Sequence, residues 1–176
     1  MRTSTASKIR TSLDWLPAPL AGLVMLKPLP FGRNGAMLLI EPQLLERLLG
    51  LRQLTASAPE AGGILMGYRR GPHTHVTEAT FPTAADVQRR FGFFRHATHH
   101  QRVSRRRWKE SGETIDYVGE WHTHPEDAPL PSGVDLKHWQ DIAQGVSKPM
   151  VFLIVGRVSN WCGVGMGAEL TCVSDM

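Results

Sequence analysis

Apolar residues fall in short runs with two distinct periods, punctuated by Pro and Gly. Ala36 to Ile40 is a continuous apolar run of strand length. Pro42 then opens a 3.6-period stretch, with Leu44, Leu45, Leu48, Leu49 and Leu51 on one stripe and Glu46 and Arg47 outward, which predicts an amphipathic helix. Gly62 to Tyr68 is apolar and glycine-rich, a buried strand that another backbone or a ligand can approach closely. His73 to Phe81 reads as a strand from its β-branched content, closed by Pro82.

Thr83 to Arg95 has no clear period and is read as irregular. Thr98 to Lys109 fits a basic helix that stops before Gly112. Ile115 to His122 is strand-like, Pro125 to Pro131 is a proline-broken loop, and Ser132 opens a helix running to about Gln144. Met150 to Val155 is the most hydrophobic strand, and Trp161 to Leu170 reads as one last strand. Strands interspersed with two or three helices predict an α/β (α+β) domain in which one sheet packs against helices.

Charge changes this picture in one place. The 176 residues hold 20 Lys plus Arg against 16 Asp plus Glu. Arg89, Arg90, Arg95, Arg102, Arg105, Arg106, Arg107 and Lys109 form a stretch with no acid, and the rest of the chain carries 12 basic and 16 acidic residues. The basic character therefore belongs to one segment. Cys162 and Cys172 are too few for a disulfide scaffold or a four-thiolate metal site, which points to a reducing, cytoplasmic setting. The longest uncharged apolar run, Trp15 to Leu26, has 12 residues and two prolines, against about 20 for a spanning helix. Met1 to Ser12, basic and rich in Ser and Thr, reads as a frayed tail in preference to a targeting peptide.

One constellation carries chemistry. Glu60 precedes Ala-Gly-Gly-Ile-Leu-Met-Gly; His122 and His124 lie two apart at a strand end; Ser132 and Asp135 open the next helix. Side chains two apart on a strand share a face, so both imidazoles can meet one ion. Asp135, in the first helical turn, can swing back as a third ligand. Two imidazoles and a carboxylate suit Zn²⁺, and three protein ligands leave a position for water, as in catalytic sites. Such a water has its pKa lowered to about 7. Glu60 is then the candidate base, and Ser132 a candidate donor to the oxyanion. Ser three before an acid at a helix start is also a capping box, and Ser132 can be both.

Glu60, His122-Thr-His124-Pro125 and, with ten residues between it and His124, Asp135 with Ser132 three before it closely resemble the motif of the JAMM (MPN+) metalloprotease family. The resemblance spans about Ala36 to Gly167. It implies a cytidine-deaminase-like MPN/JAMM fold, a curved mixed β-sheet flanked by helices, with one zinc at the sheet edge. It also implies hydrolysis of the peptide or isopeptide bond after the C-terminal glycine of a ubiquitin-like protein. The short chain looks like bacterial members found with ubiquitin-like conjugation genes, some in antiviral operons. Expected partners are the ubiquitin-like protein and its conjugates, with E1-like and E2-like proteins encoded nearby; no membrane is implied. On this basis the chain divides into an N-terminal extension over 1–35 with a partly ordered strand, a catalytic domain over 36–170 with a basic insertion at about 83–112, and a tail over 171–176.

Two other readings compete. One is a small-peptide or sulfur-carrier-protein amidase of the same family. The other is a non-catalytic scaffold whose basic insert binds nucleic acid; the insert has no nucleic-acid motif, and Arg105, Arg106 and Arg107 are read instead as a grip on the protein substrate. His73-Thr-His75 repeats the His-x-His spacing without an acid at a matching distance and reads as a surface strand. His99 and His100 read as facing water, Trp121 as packing opposite the ligands, and Glu126 and Asp127 as too close to His124 to reach the ion.

Overall fold

The computed structural model describes residues 28–32 and 35–175. The expected tail at Met1 to Ser12 and the apolar run Trp15 to Leu26 lie outside the described residues. The elements run β1 (Leu29–Phe31), β2 (Ala36–Ile40), α1 (Pro42–Leu49), β3 (Gly62–Arg70), β4 (His73–Ala79), β5 (Val87–Arg89), β6 (Gly92–Phe94), α2 (Ala97–Glu110), β7 (Asp116–Thr123), α3 (Gly133–Gln144), β8 (Met150–Val155), β9 (Asn160–Met166) and β10 (Glu169–Asp175). Eight strands form one mixed sheet in the order β1-β2-β4-β3-β7-β8-β9-β10. The neighbours β2–β4 and β7–β8 are parallel, and the remaining pairs are antiparallel. β5 and β6 make a separate two-stranded hairpin.

β8 shows why the core holds two layers of helix. Its six residues are all buried. Val151, Leu153 and Val155 pack with Leu44 and Leu48 of α1, and Met150, Phe152 and Ile154 pack with Trp139 of α3. An unbroken apolar run is what a strand covered on both faces requires. α2 lies against β3 and β7, with Val103 on Ile64, Met66 and Ile115. Thr80 shows how closely two backbones meet at β3. A Cβ on Gly63 would stand 2.2 Å from its carbonyl oxygen, so only glycine fits there.

Three expectations about elements change. The stretch from Trp161 to Leu170 is not one strand but a hairpin, β9 and β10, turned at Gly167 with φ +60°, and β10 continues to Asp175. The irregular stretch after Thr83 contains the β5–β6 hairpin. His100 does not face water. It is 1% exposed on the inner face of α2, its Nδ1 is 2.6 Å from Thr80 Oγ1, and its Nε2 lies 3.2 and 3.3 Å from the two Asp86 carboxylate oxygens. A buried polar ring is tolerated because both nitrogens are partnered.

Among the described residues, no helix is long and apolar enough to cross a membrane. Cys162 is buried in the core and Cys172 is exposed on β10.

Candidate metal centre and its cleft

Strand pairing brings the predicted residues together. Gly62 of β3 sits opposite His122 of β7, and Thr123 N–H donates to Ala61 O at 2.8 Å. Glu60, two residues ahead of Gly62, therefore runs alongside the two histidines. β7 also pairs with β8, His122 opposite Ile154, and His124 N–H donates to Val155 O at 2.9 Å. Both imidazoles are thus fixed at the end of β7, an interior strand, where the chain leaves through Pro125. α3 then returns beneath them, stacking Trp139 on Phe152 and placing its ring 5.6 Å from that of His122.

The donor atoms converge. His122 Nε2 and His124 Nε2 are 3.0 Å apart. Asp135 Oδ1 lies 3.4 Å from the first, and Asp135 Oδ2 lies 3.5 Å from the second. Four ligands at about 2.0–2.1 Å around a tetrahedral zinc are separated by about 3.3–3.4 Å. The residues therefore fit a zinc ion in both chemistry and spacing. A Glu60 carboxylate oxygen joins the cluster, with these oxygen and nitrogen atoms of Glu60, His122 and His124 all within 4.8 Å of one another.

Each group is tuned by its surroundings. Burial pushes the Glu60 carboxyl up to about 7; His124 pulls it down, and the charges of Asp135 and Glu126 add to the rise. Burial pushes His122 down to about 4, so it stays neutral, as a ligand must. Burial also works against charging His124, but the hydrogen bond to Asp135 and the carboxylates around it outweigh that and raise its pKa. For Asp135 burial is again the largest influence, and the bonds from His124 and Ser132 overcome it, holding the group well below the usual range. Ser132 forms the predicted capping box. Its N–H and Oγ donate to Asp135 Oδ2 at 2.7 and 2.6 Å, and its Oγ accepts from Asp135 N–H at 3.2 Å. The serine hydroxyl is thus committed to Asp135.

Two further carboxylates meet the candidate site. Glu126 reaches not the ion position but the far nitrogen of a ligand: its Oε2 is 2.9 Å from His124 Nδ1. Glu120 shares the face of His122, as strand alternation dictates. Its carboxylate is met by Arg95 at 2.6 Å, His138 at 3.1 Å and the Tyr117 hydroxyl at 3.3 Å. The same two-residue spacing that picked out the histidines was available for Glu120. Glu60, Glu120, His122, Asp135 and Val134 line a cleft of about 380 Å³, closed on one side by Phe93 and Phe94 of the β5–β6 hairpin.

The other predicted residues lie elsewhere. Arg105 and Arg106 stand on α2, where they help line a second, open concavity with Arg102 and Lys109. Arg107 points away from that face and clamps Glu78 through two nitrogens, at 2.7 and 2.6 Å, and Glu110 at 2.8 Å. Arg106 Nε also lies 3.8 Å from Glu110, so the two share that carboxylate, while Arg107 adds the pair with Glu78. His75 pairs with Glu41 at 2.8 Å, and His73 Nδ1 accepts from Met37 N–H, so neither joins a metal cluster. Trp121 packs in the core as predicted, donating to Thr80 O at 3.0 Å.

The fold and this side-chain set define a JAMM-type hydrolase. A model of the family described as prokaryotic homologs of the JAB domain matches residues 42–165, and the chain belongs to that family. A CD-NTase/cGAS isopeptidase of Escherichia coli (strain TW11681) is 41% identical over 126 residues, covering 70% of this chain and 79% of its own. A CD-NTase/cGAS isopeptidase of Vibrio cholerae is 40% identical over 131 residues, covering 74% and 83%. A probable metalloprotease of Sinorhizobium fredii is 27% identical over 118 residues, covering 64% and 72%. The solution structure of protein DSY2949 from Desulfitobacterium hafniense superimposes with a TM-score of 0.55 at 18% identity, over 76% of this chain and 87% of that one, and shares the fold.

Proposed function

We propose that the protein is a zinc-dependent isopeptidase that cuts the bond joining the C-terminus of a protein modifier to its target. The observation that carries this is the convergence of His122 Nε2, His124 Nε2 and the Asp135 carboxylate at 3.0–3.5 Å, with Glu60 beside them. His122, His124 and Asp135 would hold the zinc. When bound, it supplies Lewis-acid polarisation and a water of lowered pKa.

The chain's own groups do the rest. Glu60 is buried to 7% exposure and raised toward neutrality, suited to taking a proton from water and returning it to the leaving amine. Ser132 orients Asp135 and caps α3, and its hydroxyl would serve a developing oxyanion only by turning from the Asp135 carboxylate it now donates to. The cleft past Phe93, Phe94 and Val134 takes the modifier's extended tail. The exposed cations of α2, Arg105 and Arg106 among them, draw in the folded protein, which favours a protein substrate over a small peptide.

The names of the Escherichia coli and Vibrio cholerae relatives support a CD-NTase/cGAS protein as one side of the bond, and the motif supports a modifier of the ubiquitin-like kind. E1-like and E2-like proteins would make the conjugate. An antiviral pathway in the cytoplasm is the setting, and the buried thiol of Cys162 fits a reducing compartment.

Incubating the protein with a conjugate in which the C-terminus of a ubiquitin-like modifier is joined to a lysine of a CD-NTase tests this. Release of both partners, abolished by 1,10-phenanthroline and restored by Zn²⁺, is expected. No cleavage of that conjugate or of a ubiquitin-like fusion, or cleavage indifferent to the chelator, would overturn it.

A further inference from the structure

One buried amide joins the segment carrying Glu60 to the strand carrying the two histidines. Gln53 follows α1 and is 1% exposed. Its Nε2 donates to Ala58 O at 3.1 Å and to Arg90 O at 2.8 Å, and its Oε1 accepts from Thr123 Oγ1 at 3.1 Å. Thr123, fully buried between His122 and His124, in turn accepts the Ala61 N–H on its Oγ1 at 3.0 Å. Glu60 N–H donates to Arg89 O at 2.7 Å. Ala58, Glu60 and Ala61 are thus each tied by a hydrogen bond, and the ties lead to the residue between the ligands and to the β5–β6 hairpin. Both N–H groups of Gln53 are used, as is the donor of Thr123.

We infer that Gln53 and Thr123 are positioning residues that hold the Glu60 carboxylate at its working distance from the His122–His124 pair. This rests on the reading of Glu60 as the base at a metal centre. Neither side chain reaches the cleft, so neither touches substrate or reacting atoms. Their effect is on the backbone at Ala58 and Ala61, which flanks Glu60 on both sides. Removing either partner strands buried polar atoms on the other and frees the segment to shift. A misplacement of about 1 Å at a catalytic group can cost about 10²-fold in rate. The tie to Arg90 O has a second consequence, since the hairpin bearing Phe93 and Phe94 closes one side of the cleft. The wall that faces the tail and the base are therefore set by the same amide.

The test compares Thr123→Val, Thr123→Ser and Gln53→Leu with the wild type, reading kcat, KM, zinc content, melting temperature and amide hydrogen exchange over residues 58–62. Expected for Thr123→Val and Gln53→Leu is a fall in kcat of about 10- to 100-fold with KM and zinc content held, and faster exchange at Glu60 and Ala61. Thr123→Ser, which keeps the hydroxyl, should recover most of kcat and the protection. Should Gln53→Leu yield no folded protein, Gln53→Met carries the same comparison. Unchanged kcat with unchanged exchange overturns the inference. So does a parallel loss of zinc, melting temperature and kcat, which would make the pair a structural prop. Glu60→Gln run alongside separates the two readings. If it is as active as wild type, the role of Glu60 fails, while exchange at Ala61 still reports whether the bracket holds the segment.

Discussion

Glu126 Oε2 lies 2.9 Å from His124 Nδ1, on the side of the ring away from the Nε2 that faces His122 and Asp135. A carboxylate behind a ligating imidazole orients it and raises its basicity. Glu126→Ala should therefore weaken zinc affinity by about 10- to 100-fold with little change in fold. Competition with a chromogenic chelator measures this. Equal affinities in variant and wild type would show that the contact does not support the ligand.

Ser132→Ala should loosen the third ligand as well as the helix. The serine donates to Asp135 through both its N–H and its Oγ, and the variant keeps only the first. Loss of such a cap costs roughly 1 kcal/mol, which lowers the melting temperature. If the hydroxyl also serves the oxyanion, kcat falls by about 10² to 10³ beyond any loss of zinc. A lowered melting temperature with full zinc content and unchanged kcat would assign Ser132 to capping alone.

Acid should unfold the protein in two stages because of the buried Asp86–His100 pair. Burial is the largest influence on both groups. It pushes His100 below its ordinary 6.5, and bonds to Asp86 only partly offset it. For Asp86, bonds from His96 N–H, Thr83 and His100 overcome burial and hold the carboxyl down to about 2. Below 6.5 the unfolded chain takes up the proton that folded His100 resists, so stability falls with pH from there. The Asp86 contribution is present above 3.8 and is lost as pH drops toward 2. Melting temperature against pH should decline first below 6.5, and His100→Gln should shrink that first decline, to which buried His122 also contributes. A profile flat from pH 7 to 5 would contradict it.

Much of this was legible in the chain. The unbroken run of β8 and the alternation of β7 announce one strand buried on both faces and another with its ligands on one side. Glu60, His122, His124 and Asp135 meet because Gly62 of β3 pairs with His122 of β7 and α3 carries Asp135 back to them. Other features depend on partners far apart in sequence. His100 sits in a helix so basic that it reads as solvated, yet Thr80 and Asp86, 20 and 14 residues upstream, hold it inside. β1 has only three residues, including Pro30, and forms only because β2 pairs with it. Gln53 stands between Arg52 and Leu54 with no local sign of the 70-residue reach to Thr123.

The three adjacent arginines of α2 should behave differently from one another. Arg107 is held by Glu78 and Glu110, whereas Arg105 and Arg106 line the open basic face. Replacing Arg105 and Arg106 with Ser should raise KM for a protein conjugate and flatten its salt dependence, sparing a short peptide that mimics the tail. Arg107→Ser should instead lower the melting temperature and leave the salt dependence unchanged. If the double variant matches wild type on protein conjugates and the wild type binds nucleic acid with a steep salt slope, the face serves nucleic acid.

The most direct measurement is the turnover of Glu60→Gln with zinc quantified in the same sample. Glutamine keeps the shape of the side chain and cannot take a proton from water. The variant should carry one zinc per chain, like the wild type, and cleave a modifier conjugate at least about 10² to 10⁴-fold more slowly. Wild-type rates with zinc bound would place the base elsewhere, and a wild type purified without chelator that holds no zinc would contradict the metal centre itself.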